Sequence, residues 1–173
     1  MFRHASRHAL VAVALVALVT TLALDVRVFA QGARGNARGA AAASPLDPFI
    51  GTWRLDRAKS TFPAAVPDSR THTFEKVPTG FKHTTRSVVN AISGTIQYTF
   101  QLDGKDYPAD PAMAVNTIAF KQIDATTVER TGKYQGMVTE MATYKVSPDG
   151  KVLTITQMIL ANDTSSVQIF NKE

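Results

Sequence analysis

The sequence contains no cysteine. That absence excludes disulfide staples, a thiol nucleophile, thiolate or iron–sulfur metal ligation and a lipid-modified cysteine. Histidine is scarce: beyond residue 30 only His72 and His83 occur. No Gly-x-Ser-x-Gly elbow is present and no glycine-rich loop opens a helix, so the signatures of serine hydrolases and nucleotide-binding proteins are not met. No cofactor is expected. Tryptophan occurs once, at Trp53. Charge is low as well, with 19% of residues charged against 45% apolar, the balance of a folded domain and not of a disordered chain. The 173 residues suit a single domain that builds its core without covalent staples.

The net charge of +5 is unevenly placed. Arg3, Arg7 and Arg27 against Asp25 in the first thirty residues, followed by Arg34 and Arg38, account for all but one unit of it. The remaining chain is close to neutral. Nucleic-acid binding needs a clustered basic face, and none is present.

Residues 1–30 read as a signal peptide helix. Arg3, His4, Arg7 and His8 precede an apolar run from Ala9 to Leu24, and Val28 and Ala30 supply small residues for cleavage before Gln31. Asp25 and Arg27 end that run after 16 residues, short of the roughly 20 that a membrane span needs. The expectation is export by the general secretory route, since no adjacent arginine pair is present. The mature protein would be periplasmic or extracellular, with no stable membrane insertion after cleavage. Residues 31–44 are Gly/Ala-rich and read as a disordered tether. The domain then begins at residue 45.

From Pro45 onward the apolar period is two. Ile96, Tyr98, Phe100 and Leu102 alternate with Thr95, Gln97, Thr99 and Gln101, which marks a half-buried strand. Similar segments run near 70–77, 81–92, 116–123, 126–134, 137–147, 151–160 and 165–171. Turn chemistry separates them at Pro78-Thr79-Gly80, Ser93-Gly94, Asp103-Gly104, Gln135-Gly136, Pro148-Asp149-Gly150 and Ala161-Asn162-Asp163. Only residues 56–61 suit a helical turn. Short connections favour antiparallel neighbours. The expected fold is all-β: an antiparallel up-and-down barrel of about eight strands, whose closure removes exposed sheet edges. A two-sheet sandwich is the alternative.

The segment Phe49-Ile50-Gly51-Thr52-Trp53 resembles the Gly-x-Trp opening of lipocalins. The stretches DGKDYP, TTVERTGKYQG and VSPDGKVLTIT resemble small exported bacterial lipocalin-like proteins. The resemblance spans about residues 47–172. It implies that Trp53 sits on the first strand and closes one barrel end. It also implies a basic residue near the last strand that packs on the tryptophan, a place only Lys172 can fill.

Aromatic and Met side chains at period two, among them Phe74, Phe100, Phe120, Met137 and Met141, read first as core. Trp53 reads first as an end plug and second as a ligand contact. His72 and His83 lie on neighbouring strands and read as polar surface residues, since two nitrogens without a third ligand make a poor metal site. Asp103, Asp106 and Asp110 read as turn residues. Arg130 is the distinctive cation, because it shares a face with Val128. A three-residue turn at Tyr134-Gln135-Gly136 would set it opposite Glu140 as an ion pair. A two-residue turn at Gln135-Gly136 would set it opposite Met141 and leave the guanidinium for a ligand carboxylate. The leading functional expectation is a non-catalytic barrel that binds a small apolar, amphipathic or carboxylate-bearing molecule, with Trp53, Tyr98, Tyr107, Arg130 and Tyr144 as candidate contacts. The alternatives are an envelope interaction module with a filled barrel and, less favoured, a small hydrolase or isomerase.

Overall fold

The computed structural model of the protein describes residues 46–173. The expected signal peptide and tether lie outside the described residues. After a short 3-10 turn at Asp47–Phe49, the chain forms β1 (Gly51–Leu55), a second such turn (Arg57–Lys59), β2 (Ser69–Val77), β3 (Gly80–Val89), β4 (Ile92–Phe100) and β5 (Asp103–Pro108). It continues through β6 (Thr117–Gln122), β7 (Thr127–Tyr134), β8 (Met137–Val146), β9 (Val152–Ile159) and β10 (Thr164–Lys172). No helix among the described residues is long and apolar enough to cross a membrane.

All ten strands belong to one antiparallel sheet in the order β4-β3-β2-β1-β10-β9-β8-β7-β6-β5. Sequential hairpins build it, and β1 pairs with β10 to bring the chain ends together. Only β4 and β5 lack a hydrogen-bonded ladder between them. Side chains bridge that seam. The rings of Phe100 on β4 and Phe120 on β6 stack 3.9 Å apart, and the Gln97 backbone N–H donates to Asp110 Oδ2 at 2.8 Å. The result is a nearly closed barrel.

The strand count of ten corrects the expected eight. One strand beyond the eight alternating segments is β1, too short to display alternation by itself and implied only by the resemblance at Trp53. The other is β5, where Gly104 and Pro108 read as turn residues. It is the strand beside the seam, and an edge tolerates both residue types. The turn expected at Ser93-Gly94 lies at Asn90 and Ala91 instead, whose φ values of 52° and 64° belong to the mirror-image turns that suit hairpins. Gly94 is therefore inside β4.

Antiparallel connections alternate between the two barrel ends. One end carries residues 46–50 and the links after β2, β4, β6 and β8; the other carries the links after β1, β3, β5, β7 and β9. Toward the first end the interior is filled with Leu46, Phe49, Trp53, Phe74, Phe100, Phe120, Val146, Leu153 and Phe170, all fully buried. Trp53 plugs this end as expected. Its indole N–H donates to the Phe49 carbonyl at 2.7 Å, and the Lys172 ammonium lies 5.0 Å from the ring centre, the basic partner that the resemblance implied. Ile118 and Phe120 face inward as the alternation required, and Ile96 and Leu102 pack against the core from half-buried positions. Met137 and Met141 do not. They point outward and are 65% and 44% exposed, which corrects their reading as core.

Phe100 seals the seam as well as filling the core, so its loss should be felt in both roles. Phe100→Ala is expected to cost about 3–5 kcal/mol in urea denaturation. A cost below roughly 0.5 kcal/mol would show that the Phe100–Phe120 stack does not hold the two edges together.

Candidate functional site

The half of the barrel interior toward the second end is polar. A cavity of about 280 Å³ lies there, lined by Arg70 and His72 on β2, His83, Thr85 and Ser87 on β3, and Ile96 and Tyr98 on β4. Ala112, Met113 and Ala114 of the β5–β6 link, Arg130 on β7 and Glu140 and Tyr144 on β8 continue the wall. Ile155, Gln157 and Gln168 complete it. Ala112 and Ala114 are exposed, so the cavity adjoins solvent beside this link. Its floor meets the aromatic layer directly: Phe74 stacks on His83 with ring centres 4.2 Å apart, and Phe120 lies 5.8 Å from Tyr144.

Of the five candidate contacts, the cavity gathers three: Tyr98, Arg130 and Tyr144. Trp53 belongs to the opposite end. Tyr107 lies on β5 beside the seam, and its hydroxyl donates to the Asp103 carboxylate at 3.1 Å. Neither lines the cavity. The nearby acids hold the β5 region in shape: Asp106 pairs with Lys133 at 2.9 Å, and Asp110 accepts from the Gln97 and Ala112 backbones.

Arg130 faces inward and is almost fully buried, in a register that neither expected turn provides. The β7–β8 turn does have two residues, Gln135 and Gly136, with φ of 52° and 81°. Register then shifts past Thr139, because Lys133 pairs with Val138 but Gly132 pairs with Glu140. This bulge sets Arg130 opposite Ala142 and Val128 opposite Tyr144. Arg130, Glu140 and Tyr144 thereby share the inner face. Glu140 reaches diagonally along that face, and its Oε1 lies 2.6 Å from Arg130 Nη1. Its Oε2 accepts from Gln157 Nε2 at 3.0 Å. Gly132 makes room for this reach, since a Cβ there would stand 2.5 Å from Glu140 Cγ. Burial opposes the Arg130 charge, but Tyr144, Tyr98 and Glu140 outweigh it and hold the guanidinium pKa above its ordinary value.

His72 and His83 are buried, which corrects their reading as surface residues. His72 and His83 meet across β2 and β3, Nδ1 to Nε2, at 2.7 Å. His83 Nδ1 lies 2.6 Å from the Tyr98 hydroxyl, and Thr85 Oγ1 lies 3.0 Å from His72 Nδ1. The four side chains form a hydrogen-bonded row that satisfies otherwise costly buried polar atoms. Burial, reinforced by Arg130, pushes His83 down to about 3. Burial, then His83 and the two arginines, drives His72 well below the usual histidine range. Burial also raises both Tyr98 and Tyr144, so the hydroxyls stay protonated. Among the described residues no group of three or more side chains is arranged to hold a metal ion.

Arg70 and Gln168 were not singled out from the sequence. Arg70 Nη1 donates to Gln168 Oε1 at 2.8 Å, and Gln168 Nε2 donates to Ser166 at 3.1 Å. Arg70 also stands over the Phe62 ring, 5.9 Å from its centre, and burial lowers its pKa. No carboxylate pairs with it among the described residues. Both Arg70 Nε and Arg130 Nε lack a hydrogen-bond partner among the described residues. The only sequence signal for Arg70 was its position two residues before His72 on the same strand face.

Two outcomes follow from these buried groups. Glu140→Leu strands the Arg130 charge and is expected to cost about 3–5 kcal/mol in chemical denaturation, with much of the loss recovered in the Arg130→Met/Glu140→Leu double variant. The histidines set the acid response. In the unfolded chain they take up protons near pH 6.5, whereas folded His83 resists until about 3, so stability falls as pH drops through this window. Between pH 7 and pH 5, His83 alone should remove about 2 kcal/mol, and His72 acts in the same direction. Urea midpoints that do not change over that range would contradict neutral buried histidines.

No family model and no curated protein matches this sequence. Solved structures do match in fold. A Schistosoma mansoni fatty acid binding protein in complex with arachidonic acid aligns with a TM-score of 0.51 at 13% identity, over 75% of this chain and 99% of that one. As-p18, an extracellular fatty acid binding protein, aligns with a TM-score of 0.51 at 16% identity, over 73% of this chain and 97% of that one. At these identities the likeness concerns the fold alone: this chain is an all-β, nearly closed antiparallel barrel of the kind that fatty acid binding proteins adopt.

Proposed function

We propose that this protein is an exported barrel that binds a small amphipathic, carboxylate-bearing molecule in its polar cavity and performs no chemistry on it. The observation that carries the reading is the charge inside the cavity wall. Arg70 and Arg130 face a single carboxylate, Glu140, and the histidines and tyrosines are neutral. One positive charge is thus left to be matched, in a half-buried place where an anion is worth more than in water. Export rests on the leader-like pattern of residues 1–30. The solved fatty acid binding proteins of this fold agree with a lipid-like or carboxylate ligand.

Binding is favoured over catalysis by the histidines. A general base works best when its pKa lies near the operating pH, and His83 at about 3 is far from it. The test is native mass spectrometry of the protein recovered from its own compartment. The expected result is a non-covalent small-molecule adduct in wild type that is lost in Arg70→Gln. Wild-type protein that carries no adduct and binds neither hexanoate nor 4-hydroxyphenylacetate more tightly than about millimolar would overturn the reading.

A further inference from the structure

Resting on that reading, we infer that the cavity selects a short organic acid with a second polar group remote from its carboxylate, anchored by Arg70, and that it excludes long-chain fatty acids. Three observations converge on this ligand class. The first is size. At about 280 Å³ the cavity sits at the lower limit of about 300 Å³ for sites that enclose drug-sized ligands.

The second is what lies below the cavity. A long acyl tail needs continuous apolar space, and the interior that would supply it is already filled. Phe74, Phe100, Phe120 and Phe170 are buried to within 1% of complete, and the Phe100–Phe120 stack in that layer also closes the sheet. Moving these rings aside for a tail would open the seam between β4 and β5.

The third is the chemistry of the wall. Tyr98 and Tyr144 meet a ligand with hydroxyls at the deep end, while Thr85, Ser87, Gln157 and Gln168 stand nearer the second barrel end. Apart from the tyrosine and histidine rings, Ile96, Met113, Ile155 and two alanines offer its apolar surface. A methylene chain against this wall would leave the orphaned Arg70 Nε and Arg130 Nε unmatched and would dry the spare hydrogen-bonding capacity of the hydroxyls and amides, which is costly. A hydroxyl or amide would match them. Arg70 is the anchor because Arg130 already engages Glu140 at 2.6 Å, whereas among the described residues the only side-chain hydrogen bond of Arg70 is to the neutral Gln168.

Isothermal titration of the full-length protein with a carboxylate ladder from butyrate to decanoate, and with 4-hydroxyphenylacetate against phenylacetate, tests this directly. A tail that enters apolar space gains about fourfold in affinity per methylene. The expected result is that this gain ends by hexanoate, that the hydroxyl of 4-hydroxyphenylacetate adds roughly fivefold, and that Arg70→Gln weakens every acid about tenfold or more. A thermal melt of Arg70→Gln that matches wild type secures the last comparison. Were the variant to melt early, 4-hydroxyphenylacetamide on the wild type replaces it, since removing the ligand charge should cost the same tenfold. Affinity that climbs steadily through decanoate would overturn the inference while leaving carboxylate binding intact. Arg70→Gln without effect in a fully folded variant, or an amide that binds as well as the acid, would also overturn it. Absence of binding by all probes would overturn both the inference and the reading beneath it.

Discussion

A ten-stranded sheet has two edges, and in this protein an aromatic stack from β4 to β6 packs across the gap between them. Phe100 and Phe120 meet face to face across the one seam without a ladder. Around that stack the interior divides. Toward one end it is close-packed with aromatic and aliphatic side chains, capped by Trp53 and Lys172. Toward the other it holds the cavity. The seam therefore ties fold to site: the rings that close the barrel also fix how deep a ligand can go.

Polar groups inside a barrel survive only when they satisfy one another. Here they do so in two sets that meet at the cavity floor. Arg130, Glu140 and Gln157 form one, and Tyr98, His83, His72 and Thr85 form the other. The first set depends on one extra residue in β8 and on the missing side chain of Gly132. Without the bulge Arg130 would oppose Met141, and parity would turn both Glu140 and Tyr144 to the face opposite Arg130. The second set depends on burial, which keeps both histidines uncharged beside two arginines. Together they leave Arg70 as the cation with a neutral partner only, and the functional reading turns on that imbalance.

The Schistosoma mansoni fatty acid binding protein of similar fold was solved in complex with arachidonic acid. Fold alone does not fix the occupant, because the same architecture hosts different interiors. In this chain the lining residues differ from those a hydrocarbon tail requires, and the space beyond them is occupied by phenylalanine rings. Size and wall chemistry point the same way.

Much of the architecture was legible in the residues themselves. Alternation at Ile96, Tyr98 and Phe100, and at Ile118 and Phe120, fixed which face of β4 and β6 is buried, because a strand presents successive side chains to opposite sides. The lone tryptophan beside Gly51 marked the plugged end. Short turns between strands dictated antiparallel hairpins. Four features needed the folded chain. β5 was hidden by the Gly and Pro that an edge strand tolerates. The histidines were misread because strand parity does not say whether the face they share with Phe74 and Phe81 closes over them. The direction and partner of Arg130 hinged on a one-residue bulge that the turn sequence does not encode. Arg70 gained its meaning only when the sheet curled round and set it against Gln168, 98 positions away. Local pattern determines strands and faces, since it acts between adjacent residues; charge balance inside a cavity is a property of side chains that only barrel closure brings together.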